Sequence, residues 1–140
     1  MKGIVLAVLL ICMTSEVQAE FQSGIEAYRR GDYATALQEF WPLAQRGNMS
    51  AQFNLGVMYF LGRGVPQDFT QAARWYRSAA EQGHALAQSN LGFLYEHGQG
   101  VPRNDREAVH WYRLAAEQGL AGGQNNLGGM SYEGRGVPQD

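Results

Sequence analysis

A period of 36 residues governs this chain. AQFNLGVMYFLGRGVPQDFTQAARWYRSAAEQGHAL begins at Ala51, and AQSNLGFLYEHGQGVPRNDREAVHWYRLAAEQGLAG begins at Ala87. A third copy, GQNNLGGMSYEGRGVPQD, begins at Gly123 and breaks off halfway. Leu55, Leu91 and Leu127 fall in register, as do Gly56, Gly92 and Gly128, and so do the pairs Trp75/Trp111, Tyr76/Tyr112 and Gly83/Gly119. A weaker copy precedes them. Asp32, Ala36, Phe40, Ala44 and Gly47 each sit 36 residues before Asp68, Ala72, Tyr76, Ala80 and Gly83, with YRRGDY in place of YFLGRGVPQD. Self-similarity at one fixed period marks an array of small units, none of which buries its apolar face alone. The repeats read as about 20–50, 51–86, 87–122 and a partial 123–140.

Each unit predicts two antiparallel helices. Ala51, Leu55 and Tyr59 recur every four residues in the first, a single apolar stripe. Ala72, Tyr76, Ala79 and Ala80 make the matching stripe in the second. Gly56 beside Leu55 costs about 1 kcal/mol against alanine in a helix interior, so a glycine kept there in three copies predicts close approach by a neighbouring helix.

The stretch GRGVPQD occurs twice, at Gly62–Asp68 and at Gly134–Asp140. Gly62 and Gly64 permit backbone angles closed to other residues as the first helix ends. Pro66 stops helical continuation and holds Val65 extended. Asp68 is then placed to cap the second helix, with Gln71 three residues on as in a capping box, and Asn104 with Glu107 repeats the arrangement. A phosphate loop needs a third glycine, a strand-turn-helix setting and a lysine, and this stretch offers none of them. At Asp140 the connector ends where a further helix is expected, so the chain is expected to be a fragment, a truncated gene product, or a protein whose last helix is left exposed to a neighbour; Val137 and the inner face of the helix carrying Leu127 would then lack cover and offer a route to self-association.

Residues 1–19, MKGIVLAVLLICMTSEVQA, carry one cation at Lys2, an apolar run from Ile4 to Met13 and small residues at Val17 and Ala19. This is the layout of a secretory signal peptide, and the apolar run is too short to span a bilayer. Cleavage there leaves a mature domain of residues 20–140, exported to the periplasm or secreted, with no membrane span. Cleavage also removes the only cysteine, Cys12, and the only lysine, so no disulfide framework is expected. The formal net charge of the whole chain is −2, which gives no reason to expect nucleic acid as a partner.

The pattern A-x-x-x-LG-x-x-Y-x-x-G-x-GVP-x-D-x-x-x-A-x-x-WY-x-x-AAEQG resembles the Sel1-like repeat, a relative of the tetratricopeptide repeat. The opening unit, with Gly24, Gly31-Asp32-Tyr33, Ala36 and Phe40, is more similar to a plain tetratricopeptide repeat. The resemblance implies an all-α fold, a right-handed α-solenoid of about seven helices whose first helices line a concave face. It also implies an adaptor that binds a protein or peptide there. Ser131 stands where the earlier copies have Tyr59 and Tyr95, and Gly128-Gly129 weakens the last helix. A cysteine-rich branch of the family pairs two cysteines per repeat. The mature chain has no cysteine, so that branch's penicillin binding is not carried over.

With Ala51, Leu55 and Tyr59 facing inward, the opposite stripe is expected to be exposed on the concave side. It holds Phe53, Asn54, Val57 and Met58, then Ser89, Asn90, Phe93 and Leu94, then Asn125, Asn126, Gly129 and Met130. The candidate peptide-binding set is therefore Asn54, Asn90, Asn126, Phe53, Met58, Phe93 and Leu94. An asparagine amide offers both donor and acceptor, which suits an extended peptide backbone. The same residues would equally serve to bond a neighbouring helix end and support the stack. Arg77 and Arg113 are expected as solvated charges on the outer face, and Trp75 and Trp111 as packing between repeats or as an aromatic binding spot.

No catalytic constellation emerges. The mature chain has neither HExxH nor GxSxG, and GMSYEG around Ser131 fails the nucleophile pattern at its last glycine. His84, His97 and His110 occupy unrelated repeat positions without ligand-spaced partners, so no metal or other cofactor is expected. Without lysine the SxxK chemistry of a penicillin-recognising enzyme is unavailable. A non-enzymatic adaptor is the leading expectation, with an envelope hydrolase or penicillin-binding factor and a self-associating structural module as the alternatives. Asn48-Met49-Ser50 is a glycosylation sequon whose meaning depends on the source.

Overall fold

The computed structural model describes residues 2–137, and their side chains from residue 14 onward. Among these residues all regular structure is helical: α1 Lys2–Arg29, α2 Tyr33–Gln45, α3 Met49–Leu61, α4 Phe69–Glu81, α5 Ala85–His97, α6 Asp105–Glu117 and α7 Ala121–Tyr132. The extensive interfaces all join consecutive helices. Thinner contacts link alternate ones, Phe60 of α3 to Phe93 of α5 and Trp41 of α2 to Trp75 of α4. The helices thus form two layers, α1, α3, α5 and α7 in one and α2, α4 and α6 in the other. This is the expected all-α repeat stack.

The repeated joints behave as their residues dictate. Asp68 Oδ1 accepts from the Gln71 amide at 3.0 Å, and Asn104 Oδ1 accepts from Arg106 and Glu107, both at 3.1 Å. Only this half of the expected capping box forms. The Asp68 and Asn104 backbone N–H groups instead donate at 2.9 Å to the carbonyls of Tyr59 and Tyr95, tying each second helix to the end of the first. Gly62 and Gly98 take the left-handed conformation at the ends of α3 and α5. The second glycine of each connector is tucked against the start of the preceding unit's second helix: Gly64 against Tyr33, Gly100 against Phe69 and Gly136 against Asp105. A Cβ on Gly64 would lie 2.9 Å from the Tyr33 carbonyl oxygen. Pro138 to Asp140, with the expected cap at Asp140, lie outside the described residues.

Close approach between paired helices also has a concrete form. A Cβ on Gly24 would sit 2.6 Å from the Phe40 ring, and one on Gly92 would sit 2.8 Å from the Tyr112 ring; on Gly56 it would overlap Tyr76. The glycine is a slot for the aromatic ring of the following helix. Phe40, Tyr76 and Tyr112 are buried accordingly.

α1 runs unbroken through Ala19 and Glu20, where the leader is expected to end. Val17, Phe21, Ile25 and Tyr28 pack on the first core cluster, while Thr14, Ser15 and Glu16 are exposed. Among the described residues no helix is long and apolar enough to cross a membrane.

Candidate functional site

The stripe expected to be open on the first-helix layer is only partly open. Met58 and Leu94 are fully buried, as is Met130 in the third copy. They are core residues, and their place in the peptide-binding set is withdrawn. The reason is helical phase. At about 100° per residue, position 58 lies only about 20° from Ala51, whereas Tyr59 has rotated about 80° away. Tyr59 is accordingly half-buried, while Met58 completes the stripe of Ala51 and Leu55.

The remaining candidates do not act alike. Asn54 Nδ2 donates to the Ser50 carbonyl one turn back at 2.8 Å, so its amide is engaged by its own helix. Asn90 of α5 lines the same cavity as Tyr76 of α4. Burial raises the Tyr76 phenol well above its ordinary value, and the nearby Asn90 amide only partly opposes that. Asn126 is exposed on α7. Phe53 is half-buried and stacked on the His84 ring at 4.6 Å. Phe93 is 36% exposed and stacked on His97 at 4.1 Å. Three asparagines at one repeat position therefore have three different surroundings.

What the structure brings together is Asn90 and Phe93 with two residues outside the expected set, Phe60 and Tyr76. These four line a cavity of about 240 Å³ between α3, α4 and α5. Phe60 contacts Phe93 edge-on at 6.3 Å and Phe69 at 5.3 Å, which widens the apolar rim. The sequence signal for Phe60 was available by alignment. Its equivalent 36 residues on is Glu96, whose Oε2 accepts from the Tyr112 hydroxyl at 2.7 Å. Exchanging carboxylate for phenyl at that position removes the acceptor that Glu96 offers Tyr112 and makes this junction apolar.

The other junction is polar. Arg135 Nη2 donates to Glu96 Oε1 at 2.7 Å and Arg135 Nε donates to Glu133 Oε2 at 2.6 Å. Burial pushes the Glu96 carboxyl up, but the Tyr112 hydroxyl and the Arg135 guanidinium outweigh it and hold the group below its usual range.

On the second-helix layer, Arg77 is half-buried over the Tyr95 ring and donates to the Tyr95 hydroxyl, instead of standing free as expected. Arg113 is exposed, because Ser131 stands at the position of Tyr95. A cavity of about 470 Å³ lies beside Arg113, lined also by Arg106, Val109, His110 and Val137. Trp75 packs edge-on against Trp41 at 5.6 Å, and Trp111 is buried. Trp75 thus packs between units, and Trp111 is part of the core cluster.

The model of the Sel1 repeat matches residues 50–84, 85–120 and 121–140. The crystal structure of c5321, a protective antigen of uropathogenic Escherichia coli with an SLR fold, is similar at 39% identity and a TM-score of 0.84 over 96% of this chain and 30% of that one. A Sel1 repeat protein from Oxalobacter formigenes is 40% identical with a TM-score of 0.81, over 86% of this chain and 49% of that one. The cysteine-rich protein B of Helicobacter pylori, at 18% identity and a TM-score of 0.63 over 79% of this chain and 93% of that one, shares the fold. DAP3-binding cell death enhancer 1 of Rattus norvegicus and of Mus musculus is 41% identical over 49 residues, 35% of this chain. The chain spans a tenth of the length of those curated relatives. It belongs to the Sel1 repeat family.

Proposed function

We propose that this Sel1 repeat chain is a non-enzymatic adaptor that holds a protein or peptide partner against its first-helix layer, the concave face of the solenoid. The observation that carries this reading is the cavity walled by Phe60, Tyr76, Asn90 and Phe93. Its walls are apolar, its mouth carries the exposed Phe93 ring, and one amide stands at its side. Its size suits one apolar side chain of a partner, and few polar groups in an apolar cleft are what orient a ligand. Asn54 is left out of the binding set, since its amide is engaged within α3.

The leader-like residues 1–19 support export to the periplasm or the outside. Among the α1 residues whose side chains are described, core packing begins at Val17, close to the expected cleavage point, so cleavage would leave the half-buried stripe of Phe21, Ile25 and Tyr28 in place.

The test places a photo-crosslinking phenylalanine analogue at position 93 of the exported chain. Adducts with a discrete protein or peptide are expected, and fewer of them when Phe60 is replaced by alanine. Adducts that form only from exposed positions of α4 and α6 would remove the groove from consideration.

A further inference from the structure

Three corners of this chain share one register, and a guanidinium fills two of them. Each takes a residue four after a slot glycine, one seven before the ring that enters that slot, and one seven after the next glycine of the series. These are Tyr28, Tyr33 and Arg63, then Phe60, Phe69 and Gln99, then Glu96, Asp105 and Arg135. In the first corner the Tyr28 and Tyr33 rings meet edge-on at 5.2 Å. The Arg63 guanidinium carbon lies 5.5 Å from each ring centroid, and Nη1 donates to the Tyr28 hydroxyl at 2.7 Å. In the third, Arg135 Nη2 donates to Glu96 Oε1 at 2.7 Å, and Nη1 lies 3.9 Å from Asp105 Oδ1.

The middle corner keeps the walls and lacks the cation. Phe60 and Phe69 meet at 5.3 Å and 56°, against 60° for Tyr28 and Tyr33, and both phenyls are only half-buried. The connector backbone is the same as well. The Gln99 N–H donates to the Leu94 carbonyl at 3.0 Å, as the Arg63 N–H donates to Met58 at 2.9 Å. Gly98 and Gly100 hold φ of 64° and 70°, as Gly62 and Gly64 hold 67° and 73°. Gln99 thus stands where Arg63 stands, with no charge to set over the rings. Its Oε1 is buried and has no hydrogen-bond partner among the described residues, an acceptor left over at this corner.

What such a corner takes is visible in Arg63. We propose that the Phe60/Phe69 pair is a seat for an arginine side chain of the partner, its guanidinium set over the two rings and meeting the Gln99 amide oxygen. Arginine suits this place better than lysine, because its planar group stacks on aromatic faces and still presents N–H donors at its edge. Phe60 also walls the cavity beside Phe93, so the two places adjoin. The inference therefore rests on the adaptor reading and narrows it. The partner segment carries an arginine one or two residues from the apolar side chain that enters the cavity.

The experiment titrates the 140-residue chain into a fluorescent, end-capped Arg-Arg-Leu-Arg-Arg peptide and follows anisotropy. A twin peptide carries citrulline, the neutral isostere, in place of every arginine. The arginine peptide should bind at least about threefold tighter than its twin, the gain of a cation over aromatic faces. Phe69→Leu removes a ring face and keeps the net charge, so the preference should vanish while helical circular dichroism is retained. Gln99→Arg should abolish it too, because the chain's own guanidinium then fills the seat. Equal binding of the two peptides by the unaltered chain would overturn the seat and leave the groove standing. A preference that either variant retains would also overturn it, since net charge and not the corner would be its source. Binding of neither peptide would sink the groove, and the seat with it.

Discussion

Gln118 donates through Nε2 to Gln88 Oε1 at 2.8 Å, and Gln88 in turn donates to the Ala80 carbonyl at 3.2 Å. Gln82, Gln52 and Ala44 form the same relay one unit earlier. Gln88 and Gln52 are both buried, so each relay bonds a second helix to the first helix of its own unit and on to the last turn of the unit before.

Truncating the relay should therefore cost more than a surface amide would. Gln88→Leu is expected to destabilise by about 1–3 kcal/mol, the penalty for stranding buried partners. Gln88→Leu combined with Gln118→Leu should cost less than the sum of the two single changes. Urea unfolding followed by circular dichroism checks both statements, and strict additivity would show that the two side chains act separately.

The slot glycines give opposite signs at one repeat position. Gly92→Ala drives a methyl to 2.8 Å from the Tyr112 ring and 3.2 Å from the Ala108 carbonyl oxygen, so overpacking of about 1–3 kcal/mol is expected. Gly128→Ala meets nothing and should instead stabilise by roughly 0.5–1 kcal/mol, the propensity difference in a helix interior. Thermal melts of the two variants decide it.

How far this was legible in the sequence can be judged residue by residue. The period fixed the pairing of helices, the connector glycines and the caps at Asp68 and Asn104, because those rest on local backbone rules. A four-residue stripe placed Tyr59 inside and Met58 outside, since a step of four overshoots the helical turn. The cavity was missed because it arises from a difference between copies, Phe60 for Glu96, whereas the repeat directs attention to what copies share. The role of His84 was hidden for the same reason. Its Nδ1 accepts from the Ala87 amide at 3.2 Å, where the equivalent Asn48 accepts from Ala51 at 2.9 Å and Leu120 offers no side-chain acceptor.

That series of caps predicts a pH effect. Burial holds the His84 imidazole below its ordinary value, and the cap needs the unprotonated Nδ1. The unfolded chain then binds the proton more readily, so this contribution is complete above the unfolded value of about 6.5 and is lost as pH falls towards the lower folded value. His84→Asn should keep the cap and flatten stability between about pH 7.5 and 5.5. Leu120→Asn should add roughly 1 kcal/mol by capping α7. Denaturant midpoints across that pH range test the pair.

Glu96 predicts a second, more acidic loss. With its carboxyl held below the usual range in the folded chain, its contribution is present above the unfolded value of about 4.3 and disappears as pH drops through the folded value. Glu96→Gln should be less stable at neutral pH and should shed less stability on acidification than the unaltered chain. Parallel slopes of stability against pH below about 4.3 would remove Glu96 from this role.

Consecutive helices share the large interfaces of this chain, so load applied at its two ends would find no strand of contacts running the full length. Tension would act on one neighbouring pair at a time. A solenoid of this build should lengthen in steps, one helix pair giving way while its neighbours stay packed.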